Sequence, residues 1–92
     1  MSEAVRALAH YSGSVQGVGF RYTARRAASG FAVAGYVRNL FDGRVEVVAE
    51  GTRAEISAFL GAVSRAMGDY IDDCDLRWQA ASGEFSGFHI RY

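Results

Sequence analysis

Apolar and polar residues alternate from Glu3 to Ser12, with Val5, Ala7, Ala9 and Tyr11 on one parity and Arg6, His10 and Ser12 on the other. A period of two marks a strand with one covered face, and only Leu8 breaks it. The alternation stops in Gly13 to Phe20, a segment holding Gly13, Gly17 and Gly19. Arg21 to Ser29 lacks glycine and proline and is rich in Ala and Arg, which predicts a helix. Gly30 stands where a helix end takes a C-terminal glycine. Val33 to Phe41 predicts a second strand, Asp42-Gly43 a hairpin turn, and Val45 to Glu50 a third strand with Val45, Val47 and Ala49 against Glu46 and Glu50. The clearest helix is Thr52 to Met67. Ile56, Phe59, Leu60, Val63 and Met67 form its apolar stripe, Thr52 and Glu55 have capping-box spacing, and Gly68 closes it. Cys74, Leu76 and Trp78 alternate with Asp73, Asp75, Arg77 and Gln79 in a fourth strand, which puts Cys74 in the core. Phe88, Ile90 and Tyr92 alternate with His89 and Arg91 in a short fifth.

This order predicts an α+β fold, a ferredoxin-like split βαβ sandwich. Its mostly antiparallel sheet has four strands plus a short C-terminal strand, with two helices on one face. The other face is polar by parity, and His10 and His89 are expected exposed on it. A length of 92 residues fits a single domain, 1–92.

Composition removes several chemistries. All ten basic residues are Arg, so a P-loop, a Schiff-base lysine and a Ser-Lys dyad are excluded. Cys74 is the only Cys, so neither an intrachain disulfide nor a cysteine zinc site can form. A cysteine phosphatase needs Cys and Arg six positions apart, but Val15 precedes Arg21 by six and Ala80 follows Cys74 by six. Asp69, Asp72, Asp73 and Asp75 are the obvious carboxylate cluster, but they split between a loop and a strand start and read as a solvated edge, so no metal site is expected. Net charge is zero, without the broad basic field of a nucleic-acid binder. The chain has no long apolar run and no signal-peptide pattern, so a cytoplasmic setting without a membrane partner is expected.

The glycine-rich segment lies between a strand and a helix. Its glycines free the backbone to turn N–H groups inward, and the helix adds its positive end. Arg21 closes the segment and can fork onto two phosphate oxygens. Tight packing of strand on helix would use the same glycines, so local pattern alone leaves both readings open.

The run Ser12-Gly13-Ser14-Val15-Gln16-Gly17-Val18-Gly19-Phe20-Arg21 resembles the signature loop of the acylphosphatases. Gly35-Tyr36-Val37-Arg38-Asn39-Leu40-Phe41-Asp42-Gly43-Arg44-Val45-Glu46 resembles their second motif, and Phe88-His89-Ile90-Arg91-Tyr92 their last strand. The resemblance implies an acylphosphatase, a hydrolase that splits carboxylic-phosphoric anhydrides into carboxylate and phosphate without a cofactor. It implies that Arg21 binds the substrate phosphate and Asn39, the only Asn, positions the attacking water. The backbone of Val15, Gln16, Gly17, Val18, Gly19 and Phe20 would complete the phosphate cradle. The implied partners are a small acyl phosphate and inorganic phosphate, the product and a competing ligand, and the chain is expected to be a monomer. Two departures bear on affinity and specificity: Ser14 stands where the family often has a basic residue, and the Pro-free Gly68 to Asp73 replaces a Gly-Pro-Pro stretch.

Two other functions share this element order. A non-catalytic nucleic-acid module would need stacked aromatics and a basic sheet face, but Glu46 and Glu50 share that face. An acylphosphatase-like domain of a carbamoyl-transfer maturation enzyme would sit in a longer chain. The start at Met1 and the stop after the last strand favour a free enzyme. Arg25 falls one helical turn after Arg21 and adds local positive potential, while Arg26 is expected on the solvated face.

Overall fold

The computed structural model describes residues 3–92. Its strands are β1 (Ala4–Gly13), β2 (Ala34–Asn39), β3 (Val45–Thr52), β4 (Ile71–Ala80) and β5 (Phe88–Arg91). They form a sheet in the order β4-β1-β3-β2-β5. Neighbours run antiparallel except for β2 and β5, which are parallel. Helices α1 (Phe20–Ala28) and α2 (Arg53–Met67) complete the ferredoxin-like α+β fold that the alternation and helical stripes predict.

The core lies between sheet and helices. Ala7, Ala9 and Tyr11 of β1 and Val45, Val47 and Ala49 of β3 face Phe20, Ala24 and Ala28 of α1 and the Ile56–Phe59–Leu60–Val63–Met67 stripe of α2. The small side chains Ala24 and Ala28 let α1 approach the sheet closely. Phe20, at its start, tilts against Tyr11 with ring centroids 5.1 Å apart.

The helix ends differ from expectation. Thr52 Oγ1 accepts from the Glu55 N–H at 3.2 Å, but the Glu55 carboxylate does not complete the capping box. It accepts instead from the Ala32 N–H at 2.8 Å, tying α2 to the segment before β2. Gly30 and Gly68 do not take the left-handed conformation of a glycine cap. α2 runs instead through a 3₁₀ turn, Gly68–Tyr70, directly into β4.

Two burial expectations are corrected. Cys74 is exposed, and Leu76 keeps 40% of its surface in solvent. The helices pack chiefly over β1, β2, β3 and β5, which leaves the edge strand β4 largely uncovered. Only Ile71 and Trp78 of β4 reach the core, the latter with the Arg53 guanidinium 4.3 Å above its ring. His10 is half-buried, not exposed, because its partner across the β1–β3 ladder is Glu46, whose Oε2 lies 2.8 Å from His10 Nε2.

The face away from the helices is polar, as its parity says, but it is not bare. To pass from β4 at one edge to β5 at the other, residues 81–87 cross it. Glu46 and Glu50 are each only 7% exposed on this face. Glu50 accepts from Arg6 Nε, the Ser82 N–H, the Ser82 hydroxyl and the Gly83 N–H. Glu46 accepts from the Tyr36 hydroxyl at 2.9 Å and from Arg38 Nε at 2.8 Å. Phe85 packs on Tyr36, and Arg91 lies 3.9 Å over the Tyr36 ring. Burial alone would raise the Glu50 pKa, but the Ser82 N–H, the Arg6 guanidinium and the Gly83 N–H overcome it and hold the carboxyl down to about 2. His89 is exposed on β5, as its parity predicts.

Candidate functional site

The glycine-rich segment leaves the end of β1 and is pinned at both ends. Val15 is fully buried, Phe20 is nearly so, and residues 16, 17 and 19 between them are exposed. Gly17 and Gly19 have φ of +78° and +79°, a region that L side chains enter only with strain. A Cβ at either would meet nothing, so these positions need glycine for conformation and not for space.

Gly19 is also the residue before the first turn of α1, and no side chain caps that turn. The leading N–H groups of a helix have no intrahelical acceptor, and the helix dipole makes that end positive. They are therefore available to an anion. Arg21 projects from the same turn, its guanidinium 5.0 Å over the Tyr92 ring, and it makes no ion pair among the described residues.

Asn39 ends β2 and shares the parity of the buried Val37. A cavity of about 200 Å³ joins Asn39 to Val15, Gly17, Gly19, Phe20, Arg21 and Tyr22. This is smaller than the pockets that hold drug-sized ligands. The glycine loop, the start of α1 and the end of β2 thus converge on one small concavity. Gln16 and Val18, also expected in the cradle, do not line it. Val18 packs against the core instead.

Gln16 has a different place. Its Nε2 donates to the carbonyls of Leu40 at 2.8 Å and Arg44 at 2.9 Å, stapling the loop to the β2–β3 turn. The Leu40 N–H donates to the same Arg44 carbonyl at 2.8 Å. The Arg44 N–H and guanidinium bind Asp42 and hold its carboxyl below the usual range. Sequence reasoning placed Gln16 in the cradle but missed its stapling side chain, and it missed Tyr22 altogether. The signals were a side chain with two N–H donors inside a glycine loop, and an aromatic directly after Arg21.

A larger cavity, about 490 Å³, opens on the outer side of α1 between Tyr22, Thr23, Arg25, Arg26 and Ser29. No cluster of three or more His, Cys, Asp or Glu suited to a metal occurs among the described residues. No helix among them is long and apolar enough to cross a membrane.

Fold and site together describe a ferredoxin-like protein whose glycine loop, helix start and Asn39 enclose one cavity. Over residues 8–90 the chain matches the acylphosphatase family. It is 42% identical over 91 residues to an acylphosphatase of Roseiflexus sp. (strain RS-1), covering 98% of each chain. The crystal structure of acylphosphatase from Bacillus subtilis superposes with a TM-score of 0.85 at 31% identity, covering 96% of this chain and 99% of that one. A structure of T. kodakarensis HypF is similar too, with a TM-score of 0.79 at 30% identity over all of this chain but 12% of that one. The chain belongs to the acylphosphatase family.

Proposed function

We propose that the protein hydrolyses acyl phosphates to a carboxylate and inorganic phosphate, by direct attack of water on phosphorus without a metal ion. Arg21 and backbone N–H groups of the loop and helix start, at Val15, Gly17, Gly19 and Phe20, hold the phosphate, and Asn39 orients the water. The observation that carries this reading is the convergence of Arg21 from α1, Asn39 from β2 and the loop glycines on one cavity. Family membership supplies the reaction.

The chemistry asks little of the protein. The leaving group is a carboxylate, a stable anion, so no general acid is needed. Phosphoryl transfer passes through a loose transition state, and catalysis is mainly positioning and charge stabilisation. Water forms the new P–O bond as the bond to the acyl oxygen breaks, and the bonding pair leaves with the carboxylate. A phosphate oxygen takes the water's proton. Arg21 meets two phosphate oxygens with its planar fork, and the Asn39 carboxamide offers a donor and an acceptor that set one water orientation. Gln16 fixes the spacing between phosphate cradle and water by holding the loop against the turn next to Asn39.

A phosphate-release assay tests the reading. Acetyl phosphate should be hydrolysed and a phosphate monoester left intact, with inorganic phosphate competing and EDTA without effect. Comparable hydrolysis of the monoester would contradict the proposal. So would activity that EDTA abolishes and a divalent ion restores.

A further inference from the structure

The larger cavity on α1 takes no part in the reaction above. Tyr22 is its shared wall with the phosphate cavity, because it lines both. Arg25 lies one helical turn beyond Arg21, a rise of about 5–6 Å that puts both side chains on the same side of the helix. The Arg25 guanidinium sits 5.4 Å over the Tyr22 ring.

The charge pattern of this helix is unusual within the molecule. Phe20–Ala28 carries Arg21, Arg25 and Arg26 and no acidic residue. None of the three forms an ion pair among the described residues, as is also true of Arg53, Arg65 and Arg91, but α1 alone gathers three such cations with no carboxylate of its own. Like charges four apart on a helix repel and destabilise it. A chain of zero net charge therefore concentrates uncompensated cations beside the candidate active site. A second bound anion would relieve that repulsion.

We propose that Tyr22, Arg25 and Arg26 form an acyl-group subsite favouring acyl phosphates whose acyl part carries a second anionic group, a carboxylate or another phosphate. The inference rests on reading the loop and Arg21 as the phosphate cradle. With the phosphate there, a second anion a few bonds beyond the carbonyl reaches Arg25, one turn along the helix. The apolar part of the acyl chain lies against the Tyr22 ring.

The test uses phosphonates, which carry a P–C bond and cannot be hydrolysed by this reaction. Affinities of 4-phosphonobutanoate and butylphosphonate are measured by NMR titration or calorimetry. The two share a chain length and differ in the terminal carboxylate. The wild type should bind the carboxylate-bearing compound roughly two- to five-fold more tightly at low salt, the size an exposed ion pair supplies. The advantage should shrink at high salt. Arg25→Gln with Arg26→Gln, both exposed positions, should bind the two equally. Equal affinities in the wild type, or an advantage that survives the double substitution, overturns the subsite. A wild type that prefers the carboxylate but leaves acetyl phosphate intact upholds the subsite and rejects the hydrolase. Binding of neither phosphonate rejects the cradle and the subsite together.

Discussion

Arg21 and Asn39 divide the proposed work between holding and aiming, and each role has its own kinetic mark. Lysine at position 21 keeps the charge but loses the planar two-point fork. Arg21→Lys should therefore fold normally yet lose at least about 2–4 kcal/mol of transition-state stabilisation, by comparison with deletion of an oxyanion donor. Circular dichroism and kcat/KM check this, and near-wild-type turnover would remove Arg21 from its assignment. Asn39→Ala leaves the phosphate contacts in place. It should lower kcat about 100-fold while inorganic phosphate competes as well as before, because the lost interaction acts mainly in the transition state. Weaker phosphate binding with unchanged turnover would make Asn39 a binding residue.

At the scale of elements, alternation and helical stripes made the strands and helices legible. What they could not show was cover. The parity of Cys74, Leu76 and Trp78 says that they share a face, but whether a helix lies over an edge strand depends on how two helices distribute across five strands. Residues 81–87 carry no periodicity, so nothing local foretold that they would fold over Glu50. The loop, Arg21 and Asn39 were legible because their motifs lie contiguous in the chain. The Gln16 staple was not, since its acceptors lie 24 and 28 residues away. That staple predicts a positioning defect. Gln16→Met keeps the length but has no donor, and it should lower kcat/KM about tenfold, because small misplacements of reacting groups are costly. The unfolding midpoint should change little, since the two lost hydrogen bonds are exposed. An unchanged kcat/KM would mean that the loop and the turn hold their spacing without Gln16.

At the scale of the molecule, Glu50 joins β1, β3 and the crossing segment through Arg6, Ser82 and Gly83. Its carboxyl is held down to about 2 from an ordinary 4.5, so its ionised form stabilises the fold. That contribution is complete above about 4.5 and is lost as pH falls through about 2. Glu50→Gln should be less stable than wild type near neutrality, and the difference should narrow steadily below about pH 4.5, as urea midpoints at each pH would record. A constant difference down to about pH 2 would show that the charge is not what Glu50 contributes. The proposed reaction is defined by which bond water makes. Hydrolysis of acetyl phosphate in oxygen-18-labelled water, read by mass spectrometry of both products, tests it directly. Attack at phosphorus predicts the label in inorganic phosphate and none in acetate, and label appearing in acetate would contradict it.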